Sequence, residues 1–125
     1  MAYLDTHVIL WLYLGNGGAL SSRARQLIEY EPAILISPIV LLELDYLYEI
    51  GRTTLGSGPV FNYLHQRIEL QLCQKSFIDV IHKASEFTWT RDPFDRIITA
   101  QSAIDRNTLI TKDRAIHDHY EYAIW

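Results

Sequence analysis

Residues 91–116, RDPFDRIITAQSAIDRNTLITKDRAI, decide the fold. Asp92-Pro93 sets a capping carboxylate beside a proline at the first helical position, which starts a helix expected to reach Arg106. Thr108 to Thr111 follows as a strand, and Asp113, one residue beyond it, can cap a further short helix. Helix, strand and helix in so short a span is the rhythm of an α/β domain, whose right-handed crossovers put the loops after parallel strands on one edge of the sheet. Asp113 belongs to such a loop.

Toward the N-terminus the same alternation holds. Ala2 to Asp5 reads as a short first strand, and His7 to Leu14 as a helix that stops at the Gly15-Asn16-Gly17-Gly18 break. Ser21 or Ser22 can cap the next helix. Ala33 to Ile36 is a buried-strand candidate, and Ser37-Pro38 then starts a helix from Pro38 to about Ile50, closed by Gly51. The Gly56-Ser57-Gly58-Pro59 turn leads into a helical stretch from Val60 to Gln66, and Ile68 to Leu72 reads as a strand. Phe77, Ile81 and Ala84 recur at helical spacing, Phe87 to Thr90 reads as extended, and Tyr122 to Trp125 as a last strand. With no Ser/Gly-rich linker, repeat or low-complexity segment, residues 1–125 are expected to form one domain.

Composition narrows the class. In a chain of 125 residues, 49% hydrophobic content is enough for a substantial core. The net charge of -4 disfavours a module that holds nucleic acid by bulk attraction, although acids gathered around divalent cations would present a weaker negative field. Cys73 stands alone, so no internal disulfide forms, and the N-terminus lacks the basic leader and cleavage site of a signal peptide. No stretch is long enough to span a bilayer. The chain reads as a cytoplasmic protein without a membrane role.

Four acids ask for an explanation. Asp5 ends the first strand and Asp113 follows the strand Leu109 to Thr111; each has helix capping as its ordinary reading. Glu43 has Ile39, Val40, Tyr46 and Leu47 as helix neighbours, an apolar setting in which a carboxylate is paired, protonated or bound to a cation. Asp45 and Glu49, with Arg52, look like solvated charges. Asp92 is explained as the cap, whereas Asp95 lies inside the helix beside Ile98, Thr99 and Ser102, with a salt bridge to Arg91 or Arg96 as the alternative. Crossovers direct all four to one edge, where they repel each other unless cations sit among them. Hard divalent ions take such oxygen ligands, and two of them about 4 Å apart can activate a water against a phosphodiester with no nucleophilic side chain.

Other chemistries are weaker. There is no P-loop, no Gly-x-Gly-x-x-Gly and no zinc-type pair, and His117 and His119 do not share a helix face. His7 could reach the acids, with ordinary packing on the helix face as the competing reading. A phosphatase with Asp5 as covalent nucleophile wants a second aspartate two residues on, where His7 stands.

The segments Tyr3-Leu4-Asp5-Thr6-His7, Glu43 after Ser37-Pro38, Asp92-Pro93-Phe94-Asp95-Arg96 and Thr111-Lys112-Asp113 together resemble the PIN domain, specifically the VapC-type toxin ribonucleases of type II toxin-antitoxin systems. The match spans essentially the whole chain. The resemblance implies a three-layer α/β/α domain with a central, mainly parallel sheet. It also implies a magnesium- or manganese-dependent endoribonuclease, a homodimer, and a VapB-like antitoxin that blocks the acidic groove. By position, Asp5, Glu43, Asp95 and Asp113 match the metal-binding acids, Asp92 an auxiliary acid, and Thr6 and Thr111 supporting hydroxyls. Relatives often carry histidine before the Arg-Asp pair, and here that place is Thr90. Arg91, Arg96, Lys112 and Arg114 flank the acids and could meet RNA phosphates, or be solvated surface charge. A degenerate domain of this fold, kept for binding a partner protein or RNA, is the alternative to an enzyme.

Overall fold

The computed structural model describes residues 1–15 and 19–125. Of the Gly15-Asn16-Gly17-Gly18 break, all but Gly15 lies outside the described residues. Five parallel strands form one sheet in the order β3-β2-β1-β4-β5, with helices flanking it. The strands are β1 (Ala2–Leu4), β2 (Ile34–Ile36), β3 (Gln71–Leu72), β4 (Thr108–Ile110) and β5 (Ala123–Ile124). The helices are α1 (Thr6–Tyr13), α2 (Ser22–Tyr30), α3 (Ile39–Glu49), α4 (Ser57–Ile68), α5 (Phe77–Ser85), α6 (Pro93–Ala103) and α7 (Arg114–His119).

Ala2, Tyr3 and Leu4 are all buried, as a central strand covered on both faces requires. Tyr3 sits opposite Leu35 of β2 on one side and Leu109 of β4 on the other. The strand order therefore reverses between β1 and β4, and the loops leaving those two strands diverge there, which opens the crevice where such sheets take ligands. Beneath it, Ile36, Leu109, Ile110, Ile98 and Ile116 build the core.

Several boundaries differ from expectation for local reasons. α4 begins at Ser57, because Asp45 caps it from α3: its carboxylate accepts the Ser57 N–H at 2.8 Å and the Ser57 hydroxyl at 3.0 Å. Asp45 is thus a structural partner and not a solvated charge. α4 runs on to Ile68, past Gln66, and Glu69 ends it in the left-handed region with φ 55°, which shortens the expected strand from Ile68 to Leu72 to Gln71–Leu72. α6 stops at Ala103, short of Arg106, where Arg106 also takes φ 55° and the Asn107 N–H bonds back to the Ser102 carbonyl at 2.9 Å. Phe87 to Thr90 is a turn and not an extended segment. Trp89 there stacks on His119 of α7, with ring centroids 5.0 Å apart, and the Thr90 hydroxyl accepts the Asp92 N–H.

Candidate active site

The crevice is a cavity of about 250 Å³ lined by Asp5, Thr6, His7, Leu10, Glu43, Leu47, Asp92, Asp95 and Asp113. Each acid arrives by a different route. Asp5 leaves β1 and is 4% exposed; its Oδ1 accepts the Thr6 N–H at 2.7 Å and its Oδ2 accepts the Thr111 hydroxyl at 2.7 Å. The expected capping by Asp5 is real, and it leaves the carboxylate on the cavity wall all the same. Asp113 leaves β4 and caps α7 through the Ile116 N–H at 3.0 Å, while its own N–H donates to the Thr111 hydroxyl at 3.0 Å. Thr111 is completely buried, so one hydroxyl ties the two diverging loops together.

Glu43 comes from the first half of α3. The buried centre of that helix is Val40 and Leu44, one position round from Glu43, so the carboxylate lies half-buried at the border of the apolar face and not on its crest. The Thr6 hydroxyl donates to Glu43 Oε1. Burial pushes the Glu43 carboxyl up, the Thr6 bond pulls it down, and the Asp5 and Asp92 charges push it up further, for a net rise.

Asp92 caps α6 through the Phe94 N–H at 2.9 Å and, more weakly, the Asp95 N–H at 3.4 Å. That cap turns Asp95 inward, where burial pushes its carboxyl up to about 7, with Asp92, Asp5, Asp113 and Glu43 each adding to the rise. Every acid in the cavity is felt at Asp95. Such a group is costly to keep ionised without a compensating cation.

His7 was undervalued by sequence reasoning. Its Nε2 accepts the Lys112 N–H at 2.9 Å, which leaves the proton of the neutral ring on Nδ1, 3.6 Å from Asp5 Oδ2. Burial lowers its pKa against the opposing pull of Asp5 and Asp113. The ring both packs on Trp11 and lines the cavity, so the two readings offered by the sequence are compatible. Only its position two residues after Asp5 signalled this.

The flanking cations separate. Arg91, Lys112 and Arg114 are exposed. The Arg96 guanidinium is instead bonded to the carbonyls of Ala84 and Ser85, at 3.2 and 3.5 Å, at the end of α5. It is a helix-end partner, and its expected place among phosphate contacts is not supported.

The donor set suits a hard divalent ion. Five carboxyl groups face a space with room for several waters, which magnesium retains when few carboxylates bind it. Among the described residues no three His, Cys, Asp or Glu side chains already surround a single point, so the acids ring the cavity without forming a finished coordination shell.

A parallel sheet with carboxylates from two diverging strand ends and two neighbouring helices facing one crevice defines the class: an α/β domain with an acidic centre at its switch point. The PIN domain family model matches residues 2–122, and the chain belongs to that family. It is 31% identical over 120 residues to Ribonuclease VapC22 of Mycobacterium tuberculosis (strain ATCC 25618 / H37Rv), covering 93% of this chain and 89% of that protein. Two solved structures share the fold. The crystal structure of VapBC2 from Rickettsia felis bound to a DNA fragment from their promoter matches with TM-score 0.67 at 19% identity, over 99% of this chain and 96% of that one. A toxin-antitoxin complex from Klebsiella pneumoniae matches with TM-score 0.67 at 16% identity, over 100% and 97%.

Proposed function

We propose that residues 1–125 are a single PIN domain that cuts RNA internally with magnesium or manganese, as the toxin of a VapBC-type pair. The observation that carries this reading is the meeting of Asp5, Glu43, Asp95 and Asp113, from remote parts of the chain, in one cavity. The relation to a VapC ribonuclease and the fold shared with two toxin-antitoxin complexes support it.

In this reading the four acids hold the cation, and Asp92 adds negative charge at the mouth. Bound there, a divalent ion supplies Lewis acidity for a water and for the phosphodiester. Thr6 and Thr111 are positioning residues: their hydroxyls fix Glu43 and Asp5 so that the carboxylates need not reorganise. Lys112, Arg114 and Arg91 are placed to meet phosphates along the strand.

Among the described residues no helix is long and apolar enough to cross a membrane, and a cytoplasmic location suits an enzyme that acts on RNA. A VapB-like antitoxin would silence the cavity by covering it. A homodimer contact is assigned to the apolar surface on α3 and α5, where Leu42, Phe77 and Ile78 are exposed by 58%, 73% and 57%.

RNA cleavage by wild type and Asp95→Asn, each with magnesium or manganese and with excess chelator, tests the reading. Cleavage is expected only for wild type with metal. Cleavage that survives chelation overturns the mechanism. Absence of cleavage together with absence of metal binding points to a domain of this fold that only binds.

A further inference from the structure

His7 connects the carboxylate cavity to a second feature that hydrolysis itself does not require. Four residues on along α1, Trp11 stands 5.0 Å from the His7 ring, and Trp125, immediately after β5, stands 5.6 Å from Trp11 and 6.2 Å from His7. β5 pairs with β4 in register, so Trp125 emerges at the same sheet edge as Thr111 and Asp113. Both indoles are only partly buried.

We propose that Trp11 and Trp125, with Lys112, form a shelf on which an unpaired nucleobase of single-stranded RNA stacks, next to the bond being cut; this rests on the ribonuclease reading above. Three observations point to that ligand. The rings of His7, Trp11 and Trp125 meet at 55° to 64°, so none of these contacts covers an indole with a parallel ring. Trp89 is the contrast: it lies 5° from parallel with His119, its face already occupied. Second, Lys112 Nζ lies over the Trp11 ring, 5.9 Å from its centre, on a flexible side chain that an incoming base can displace toward its own phosphate. An aromatic face with a cation next to it fits a base and its phosphate, the combination by which single strands are held without sequence readout. Third, the backbone of Lys112 is pinned to His7 Nε2, and His7 lies 3.6 Å from Asp5, so shelf and carboxylates form one continuous surface.

Binding of a fluorescein-labelled oligoribonucleotide with phosphorothioate linkages, which resist attack of a metal-activated water at phosphorus, is measured with millimolar magnesium. Tryptophan emission is followed in parallel, together with cleavage of the unmodified strand. For wild type the single strand is expected to bind more tightly than its duplex and to quench indole emission. Trp11→Leu and Trp125→Leu are each expected to weaken binding by roughly tenfold. Trp11→Phe keeps a stacking face and should retain most affinity; Lys112→Gln keeps the backbone bond to His7 and should weaken binding by a smaller factor. If the leucine variants do not fold, emission in wild type decides: saturation by the probe without quenching overturns the shelf. Folded leucine variants that bind and cleave like an active wild type also overturn it, as does equal affinity for duplex, and both outcomes leave the ribonuclease reading intact. A wild type that neither binds nor cleaves RNA removes that reading and the shelf together.

Discussion

Asp95 carries the clearest electrostatic tension in the molecule. With its carboxyl pushed up to about 7 by burial and by four neighbouring acids, the folded state holds this proton more tightly than the unfolded chain, where the pKa returns to about 3.9. The contribution to stability is therefore present below about pH 4 and is lost as the pH rises through 7. Metal-free wild type is expected to lose thermal stability over that window, while Asp95→Asn loses less and melts higher than wild type at pH 8. Equal melting of the two proteins at pH 8 would refute the tension. Thr111 offers a second test, because its hydroxyl donates to Asp5 and accepts from the Asp113 N–H inside the core. Thr111→Val leaves that N–H unpaired and should cost about 1–3 kcal/mol by denaturant unfolding, with Thr111→Ser close to wild type. Asp5 and Asp113 were legible from their strand-end positions, Glu43 from its aliphatic neighbours on a helix and Asp95 from its place inside the helix that Asp92 caps. Arg96 was not, since nothing in Asp-Pro-Phe-Asp-Arg tells that its guanidinium turns to the end of α5.

Helix starts were easier to read than helix stops, and the reason is chemical. The starts at Ser21, Asp92 and Asp113 carry a capping oxygen in the sequence itself. α4 ends on Glu69 in left-handed geometry, and the turn that follows α6 closes on Arg106 in the same geometry, positions where glycine is the usual signal, so neither stop announces itself. α4 also begins without a local cap, because Asp45 of α3 supplies it from twelve residues away. A Cβ at Gly56 would lie 2.9 Å from that Asp45 oxygen. Asp45→Ala and Gly56→Ala are each expected to destabilise the protein by about 1 kcal/mol, through the same helix start. Additive losses in the double variant, measured by denaturant unfolding, would show that the two positions do not share one contact.

For the molecule as a whole, repulsion within the cavity makes stability a readout of metal binding. A ligand at a hundred times its Kd adds about 2.7 kcal/mol to the folded state, so magnesium or manganese should raise the melting temperature by several degrees. Asp95→Asn should blunt that rise, and a wild type indifferent to both ions at millimolar concentration would contradict the site. The sheet order was not readable from the alternation of elements, because the reversal beside β1 is set by which strands pair across long separations. That pairing has a consequence for biosynthesis. β1 leaves the ribosome first, yet Tyr3 needs Leu109 as a neighbour, and Asp5 awaits a hydroxyl 106 residues downstream. Contacts so distant in sequence form late. A nascent chain interrupted anywhere before β4 therefore lacks the central pairing, the Asp5–Thr111 bond and Asp113 itself, and the acidic centre is assembled only once β4 and the loop that follows it have left the ribosome.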